Sequence, residues 1–179
     1  MNWAFISIPK TGTNSVHRAL NTKKKDNHKA IKLIECEYSF AFIRHPLDRL
    51  VSWYFGHRTT NPSLTQYQVS FREWLLQGTH HWTPDVCKGF GIENPLNQWE
   101  FIEIDGAVKV DFLGRFENIE LDFIEVCNVI GVQKKLPHIL KSNHAHWTSY
   151  YDKDLRQLMI NKYKKDFDLW ELLASRTIY

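Results

Sequence analysis

Lys10 stands in the stretch FISIPKTGTNS, where an apolar run stops at Pro9 and small residues follow: Thr11, Gly12, Thr13, Asn14 and Ser15. A strand, a tight glycine turn and a helix N-terminus together make an anion site. Unpaired backbone N–H groups and the positive end of the helix dipole converge there. The hydroxyls add donors and Lys10 adds charge, so the chemistry in view is the binding of a phosphate or a sulfate. A second set of residues lies in FAFIRHPLDRLVSWY, where Arg44 ends an apolar run and Ser52 follows on a helical pattern. A guanidinium fork plus a hydroxyl beside a helix N-terminus suits a terminal phosphate. Arg44 alone is equally an ordinary ion-pair residue, and Arg49 reads as a surface or structural partner.

Those residues need elements to hold them. The pattern predicts a buried strand over Trp3 to Ile8, a helix over Thr13 to Leu20, and a solvated connection over Asn21 to Lys29. A second buried strand follows over Tyr38 to Ile43. Leu47, Leu50, Val51, Tyr54 and Phe55 fall at helical spacing behind Pro46, which predicts a helix from Pro46 to about His57. VSFREWLLQ reads as a short amphipathic helix ending before Gly78, and Thr79 to Asn94 as an irregular excursion. The segments on either side of Asp105-Gly106 read as a hairpin or two short strands. Asn118 to Gly131 is helical, Leu136 to Tyr150 is a loop, and Asp152 caps one long final helix running to Leu173. Strands interleaved with helices imply an α/β layer fold with a mainly parallel sheet.

Bulk properties exclude several classes. The chain has 179 residues, which suits one domain over 1–179 rather than two. A net charge of +3 is too mild for nucleic-acid binding by bulk field, and the charge run in KKKDNHK is short and diluted by Asp26. Three widely spaced cysteines read as reduced thiols. No stretch approaches a membrane span, and the first strand begins too early to leave room for a signal peptide or anchor, so the expectation is a soluble cytoplasmic protein. Lys10 precedes the only glycine of its loop, unlike the lysine of an ATPase loop, and no strand offers an obvious Mg²⁺ carboxylate. The dinucleotide fingerprint is absent too.

IPKTGTNS resembles the 5′-phosphosulfate loop of the sulfotransferases that use 3′-phosphoadenosine 5′-phosphosulfate (PAPS), with Asn14 where Thr or Ser is usual. FAFIRHPLDRLVSWY resembles that family's 3′-phosphate segment. VKVDFLGRFENIELDF and YYDKDLRQLMINKYKKDFDLW resemble its later segments, so the likeness runs through nearly the whole chain. It is closest to the carbohydrate branch, whose Golgi members carry a membrane anchor and which has many bacterial relatives. The resemblance implies a three-layer fold like that of the P-loop NTPases. It further implies sulfuryl transfer from PAPS to an acceptor hydroxyl or amine, without a metal, in a bacterial- or viral-type soluble protein.

On this resemblance Lys10 neutralises the leaving phosphate oxygen, and Thr11, Gly12, Thr13, Asn14 and Ser15 hold the 5′-phosphate. Arg44 and Ser52 hold the 3′-phosphate, while Lys141 and Ser142 reach the nucleotide from a late loop. The acceptor needs a base, and nine histidines compete. His28 is the candidate, with a solvated loop histidine as the competing reading. His57 is the runner-up. His17 reads as a helix-face residue and His45 as a loop residue beside the phosphate site, while His80, His144 and His146 read as acceptor contacts, metal ligands or, most simply, exposed polar residues. Arg115 serves the nucleotide, an anionic acceptor, or an ion pair with Glu117 or Asp111. Seven tryptophans favour a glycan or glycolipid acceptor, since aromatic faces pack on sugar rings. The alternative is a catalytically inactive nucleotide-binding module of the same fold.

Overall fold

The computed structural model describes residues 1–22, 28–137 and 144–176. Its centre is a three-stranded parallel sheet of β1 (Trp3–Ile6), β2 (Tyr38–Ile43) and β5 (Phe112–Arg115), in the order β1-β2-β5. Phe5 pairs with Phe40, and Ile43 pairs with Arg115. Side chains alternate along each strand, so the sheet has two apolar faces. Phe40 and Phe42 pack on one face against Val16 of α1 (Thr13–Leu20) and against Phe123, Val126 and Cys127 of α5 (Ile119–Ile130). Ala41 and Ile43 pack on the other with Ile6, Ile8 and Cys87 of α4 (Pro84–Phe90), flanked by Leu169, Trp170 and Leu173 of α7 (Lys164–Arg176). Helices on both faces make three layers, as the family resemblance implied, around the parallel sheet expected from the interleaved pattern.

α2 (Pro46–Thr60) leaves the end of β2 and is buried along most of its length. Its Trp53 and Tyr54 form a second core with Tyr67 and with Phe71, Trp74 and Leu75 of α3 (Phe71–Gln77). α3 carries a capping box between Ser70 and Glu73 and ends at Gly78.

Four expectations change in detail. The ladder of β1 ends at Ile6, although Ile8 is fully buried. The excursion from Thr79 to Asn94 contains α4, opened by a Thr83 cap and Pro84 and closed by Gly91 at φ 73°. The hairpin consists of β3 (Glu103–Ile104) and β4 (Ala107–Val108), with Asp105 and Gly106 both at positive φ, while the rest of the second segment joins the main sheet as β5. The final helix is two, α6 (Lys153–Lys162) and α7, broken at Tyr163. Asp152 caps α6, accepting the Leu155 N–H at 2.8 Å.

Parallel strands put their C-terminal ends on one edge. Lys10 follows β1, Arg44 follows β2 and Arg115 ends β5, so three cations share that edge. In open parallel sheets this edge is where ligands bind. Among the described residues no helix is long and apolar enough to cross a membrane.

Candidate functional site

The loop after β1 is shaped by two residues at positive φ, Lys10 at 71° and Gly12 at 83°. A Cβ on Gly12 would lie 2.6 Å from Ile119 Cδ1 and 3.3 Å from the Phe116 ring, so a side chain there would have to displace Ile119 as well as adopt a positive φ. Thr11 and Thr13 donate their hydroxyl protons to the Ile8 carbonyl at 2.9 and 2.7 Å. These hydroxyls therefore staple the turn rather than point outward. Gly12 is the N-cap of α1 and supplies no side-chain cap; its carbonyl accepts the Ser15 and Val16 N–H groups at 3.0 and 3.2 Å, and the start of the helix is a place suited to an anion. Asn14 is exposed and Ser15 half-buried at this helix end.

The Lys10 side chain lies across Gly56 of α2. A side chain at Gly56 would occupy the position of the Lys10 ammonium. Burial, then the Arg44 and Arg49 guanidiniums, lower the Lys10 pKa from 10.5 to about 8. Among the described residues no carboxylate pairs with it. Arg44 is held from three sides. Its Nε donates to Asp48 Oδ2 at 2.8 Å, its Nη1 to the Lys10 carbonyl at 3.3 Å, and its guanidinium lies 4.4 Å from the Phe116 ring centre.

Arg49 is a buried strut and not a surface residue. Its Nε donates to the Pro9 carbonyl at 2.8 Å, and its Nη groups donate to the Pro95 and Leu96 carbonyls at 2.7 Å. Burial lowers its pKa to about 10, against the opposing pull of the Asp166 carboxylate. Arg49, Ser52, Trp53 and Gly56 form one helical stripe. Since Arg49 touches Pro9 and Gly56 touches Lys10, the buried Ser52 sits on the loop-facing side.

The histidines separate clearly. His28 is not a solvated loop residue. It is mostly buried, at φ 71°, with its ring 5.4 Å from Trp82 and 6.1 Å from Phe90. Its Nδ1–H donates to the Ser7 carbonyl at 2.6 Å, which leaves Nε2 with the free lone pair. Burial dominates and lowers its pKa to about 4, so it is neutral near pH 7. His57 follows Gly56 and is lowered to about 3 by burial, then by His81, Lys10 and His28. Its ring lies 4.3 Å from that of His81, and its Nδ1 is buried with no partner among the described residues. Tyr67 Oη accepts from Trp53 Nε1 and bonds His81 Nδ1, both at 2.9 Å. His57 thus feels both Lys10 and His28.

The other candidates lie elsewhere or serve packing. His17 is buried on α1 against Phe5, with Nδ1 2.5 Å from Thr22 Oγ1. His45 stacks on Trp147 at 4.4 Å. His80 is half-buried, His144 stacks on Phe55 at 5.8 Å, and His146 is exposed. The Arg115 guanidinium lies 5.8 Å from a Trp170 ring, on the sheet edge. Lys141 and Ser142 lie outside the described residues. Residues that the sequence did not flag are Gly56, Gln98 and Asp166. For Gly56 a signal existed, an isolated glycine inside a helical pattern.

A model of the Sulfotransferase family matches residues 4–172. An uncharacterized protein of Archaeoglobus fulgidus is 29% identical over 105 residues, which cover 59% of this chain and 77% of that one. The crystal structure of a sulfotransferase from Alicyclobacillus acidocaldarius aligns at 20% identity and a TM-score of 0.37, over 76% of this chain and 54% of its own. The chain spans about half the length of that structure's chain.

Proposed function

The chain belongs to the sulfotransferase family, and from that premise we propose that it transfers a sulfuryl group from PAPS to a hydroxyl or amine, with a glycan or glycolipid as the acceptor class. One observation carries the reading. A half-buried ammonium, Lys10, feels two guanidiniums with no carboxylate counter-charge among the described residues, beside a helix N-terminus without a side-chain cap. Burying charge without a partner is costly, and a bound anion supplies the partner. The fit to a nucleotide with two phosphate ends lies in two cation positions at neighbouring strand ends, Lys10 after β1 and Arg44 after β2.

In this scheme the α1 N-terminus, with the Thr11 to Ser15 backbone, and Lys10 hold the 5′-phosphate end. Arg44 and Ser52 hold the 3′-phosphate, and Lys141 and Ser142 reach the nucleotide. The acceptor oxygen forms a bond to sulfur as the bond from sulfur to the 5′-phosphate oxygen breaks. Lys10 neutralises the charge that develops on that leaving oxygen. His28 Nε2 takes the acceptor proton, in the tautomer that the Ser7 carbonyl enforces. The half-buried Trp82 beside His28 offers a flat face to a sugar ring.

His57 supports a second assignment of the base. The Lys10 charge helps to hold it neutral, and its Nδ1 has no partner among the described residues. The two assignments separate by mutation. With His28 as base, His28→Ala cuts turnover at least about a hundredfold with nucleotide affinity kept. His57→Ala having that effect while His28→Ala turns over normally would move the role. Incubation with ³⁵S-labelled PAPS and a panel of hydroxylated glycans, glycolipids and small alcohols tests the activity itself. Labelled product with release of 3′,5′-adenosine bisphosphate supports the transferase. Tight nucleotide binding with no product across the panel favours the inactive module.

A further inference from the structure

Arg44 lies between the end of β2 and His45, the N-cap of α2, and the peptide on either side of it has an unusual neighbour. The buried Gln98 carboxamide makes two bonds to this one residue. Its Oε1 accepts the Arg44 N–H at 2.9 Å, and its Nε2 donates to the Arg44 carbonyl at 2.9 Å. A side-chain amide thus stands in for a further strand where β2 ends. Gln98 is fixed in turn by the buried Asp166 of α7. Asp166 accepts the Gln98 N–H on both carboxylate oxygens, at 3.0 and 2.9 Å, and the Trp99 N–H at 2.9 Å. The connection then runs from the Arg44 guanidinium to the Lys10 carbonyl.

Resting on the function proposed above, we infer that Gln98, clamped by Asp166, is the positioning residue that sets selectivity for the 3′-phosphate by fixing the backbone from which Arg44 projects. Asp48 and Phe116 orient the guanidinium tip, and neither bonds the Arg44 main chain. Gln98 alone, among the described residues, pairs with both the N–H and the carbonyl of Arg44. Glutamine is the right length and chemistry for this. Glutamate accepts from the N–H but cannot donate to the carbonyl, and methionine fills the space while doing neither. A guanidinium at the end of a long side chain amplifies small backbone rotations, and misplacement by about 1 Å costs on the order of a hundredfold.

The test compares 3′,5′-adenosine bisphosphate with 5′-AMP by calorimetric titration, in wild type, Gln98→Met, Arg44→Met and the double variant. Gln98→Met lowers affinity for the bisphosphate at least about tenfold and leaves 5′-AMP binding within about twofold. In the Arg44→Met background Gln98→Met has no further effect on selectivity, because it acts through Arg44. Equal weakening of both ligands would mean general packing and overturn the inference, as would unchanged selectivity. If Gln98→Met does not fold, Gln98→Glu serves, since it keeps the Arg44 N–H bond and loses the other, and selectivity should still fall. A wild-type protein without 3′-phosphate preference would instead remove the functional reading itself.

Discussion

Replacing Lys10 by methionine should make the protein more stable and unable to hold its anion. The lysine is charged and largely buried, with two guanidiniums nearby and no carboxylate among the described residues. A fall in pKa from 10.5 to about 8 corresponds to about 3 kcal/mol of disfavoured charge. Allowing for residual solvent contact, Lys10→Met gains about 2 kcal/mol at pH 7, or roughly 4–8 °C in melting temperature for a chain of this length. The sign follows from linkage. Below about pH 8 the lysine is charged in both folded and unfolded chains, and the folded protein bears the full cost. Between about 8 and 10.5 the folded lysine is neutral while the unfolded one still binds its proton, so wild-type stability rises with pH relative to the variant. Denaturant melts at pH 7, 8.5 and 10 should show the gap shrinking toward zero. Adding 3′,5′-adenosine bisphosphate at pH 7 should raise the melting temperature of wild type and not of the variant. A variant no more stable than wild type at pH 7, or a gap that does not close with pH, would refute the idea of an uncompensated ammonium.

Three further outcomes follow from the same geometry. Gly56→Ala favours the helix by about 0.5–1 kcal/mol yet displaces the Lys10 ammonium, so melting should hold or rise while nucleotide affinity falls; affinity unchanged would mean that the lysine does not depend on that seat. Gly12→Ala meets both a positive φ and the Ile119 side chain, and should cost more than about 1 kcal/mol in denaturant melts together with loss of binding. For kcat/KM against pH, the base must be neutral and Lys10 charged, which places the acid limb near 4 for His28 and the basic limb near 8. A profile that falls already at pH 6.5 would show an ordinary solvated histidine as the base.

Much of the site was legible because its parts are local. The strand, the Lys10 loop and α1 lie within twenty residues, and Pro9, Gly12 and the hydroxyls announce the turn. Arg44, Pro46 and Ser52 are likewise consecutive features of one strand–helix junction. What escaped was set by distance or by tertiary burial. Gln98 meets Arg44 across 54 positions and Asp166 across 68, and no local pattern connects them. His28 sits beside a charge run that reads as solvated, while the fold buries it against Trp82 and Phe90. Thr11 and Thr13 look like ligand donors by type, yet the tight turn brings the Ile8 carbonyl within their reach. α4 was hidden by the His, Gly and Pro content around it, although Thr83, Pro84 and Gly91 are its start and stop signals. Tyr163 breaks the last helix without glycine or proline, and its buried ring in the α2 core shows tertiary packing overriding a continuous helical pattern.

The most direct test of the account is calorimetric titration of the protein with 3′,5′-adenosine bisphosphate, with ADP and 5′-AMP as controls. The account predicts tight binding of the bisphosphate and at least about tenfold weaker binding of both controls, since only the bisphosphate offers a phosphate to Lys10 and to Arg44 at once. Equal binding of ADP, or no binding of any of the three, would contradict the assignment of the two cation positions to the two ends of one nucleotide.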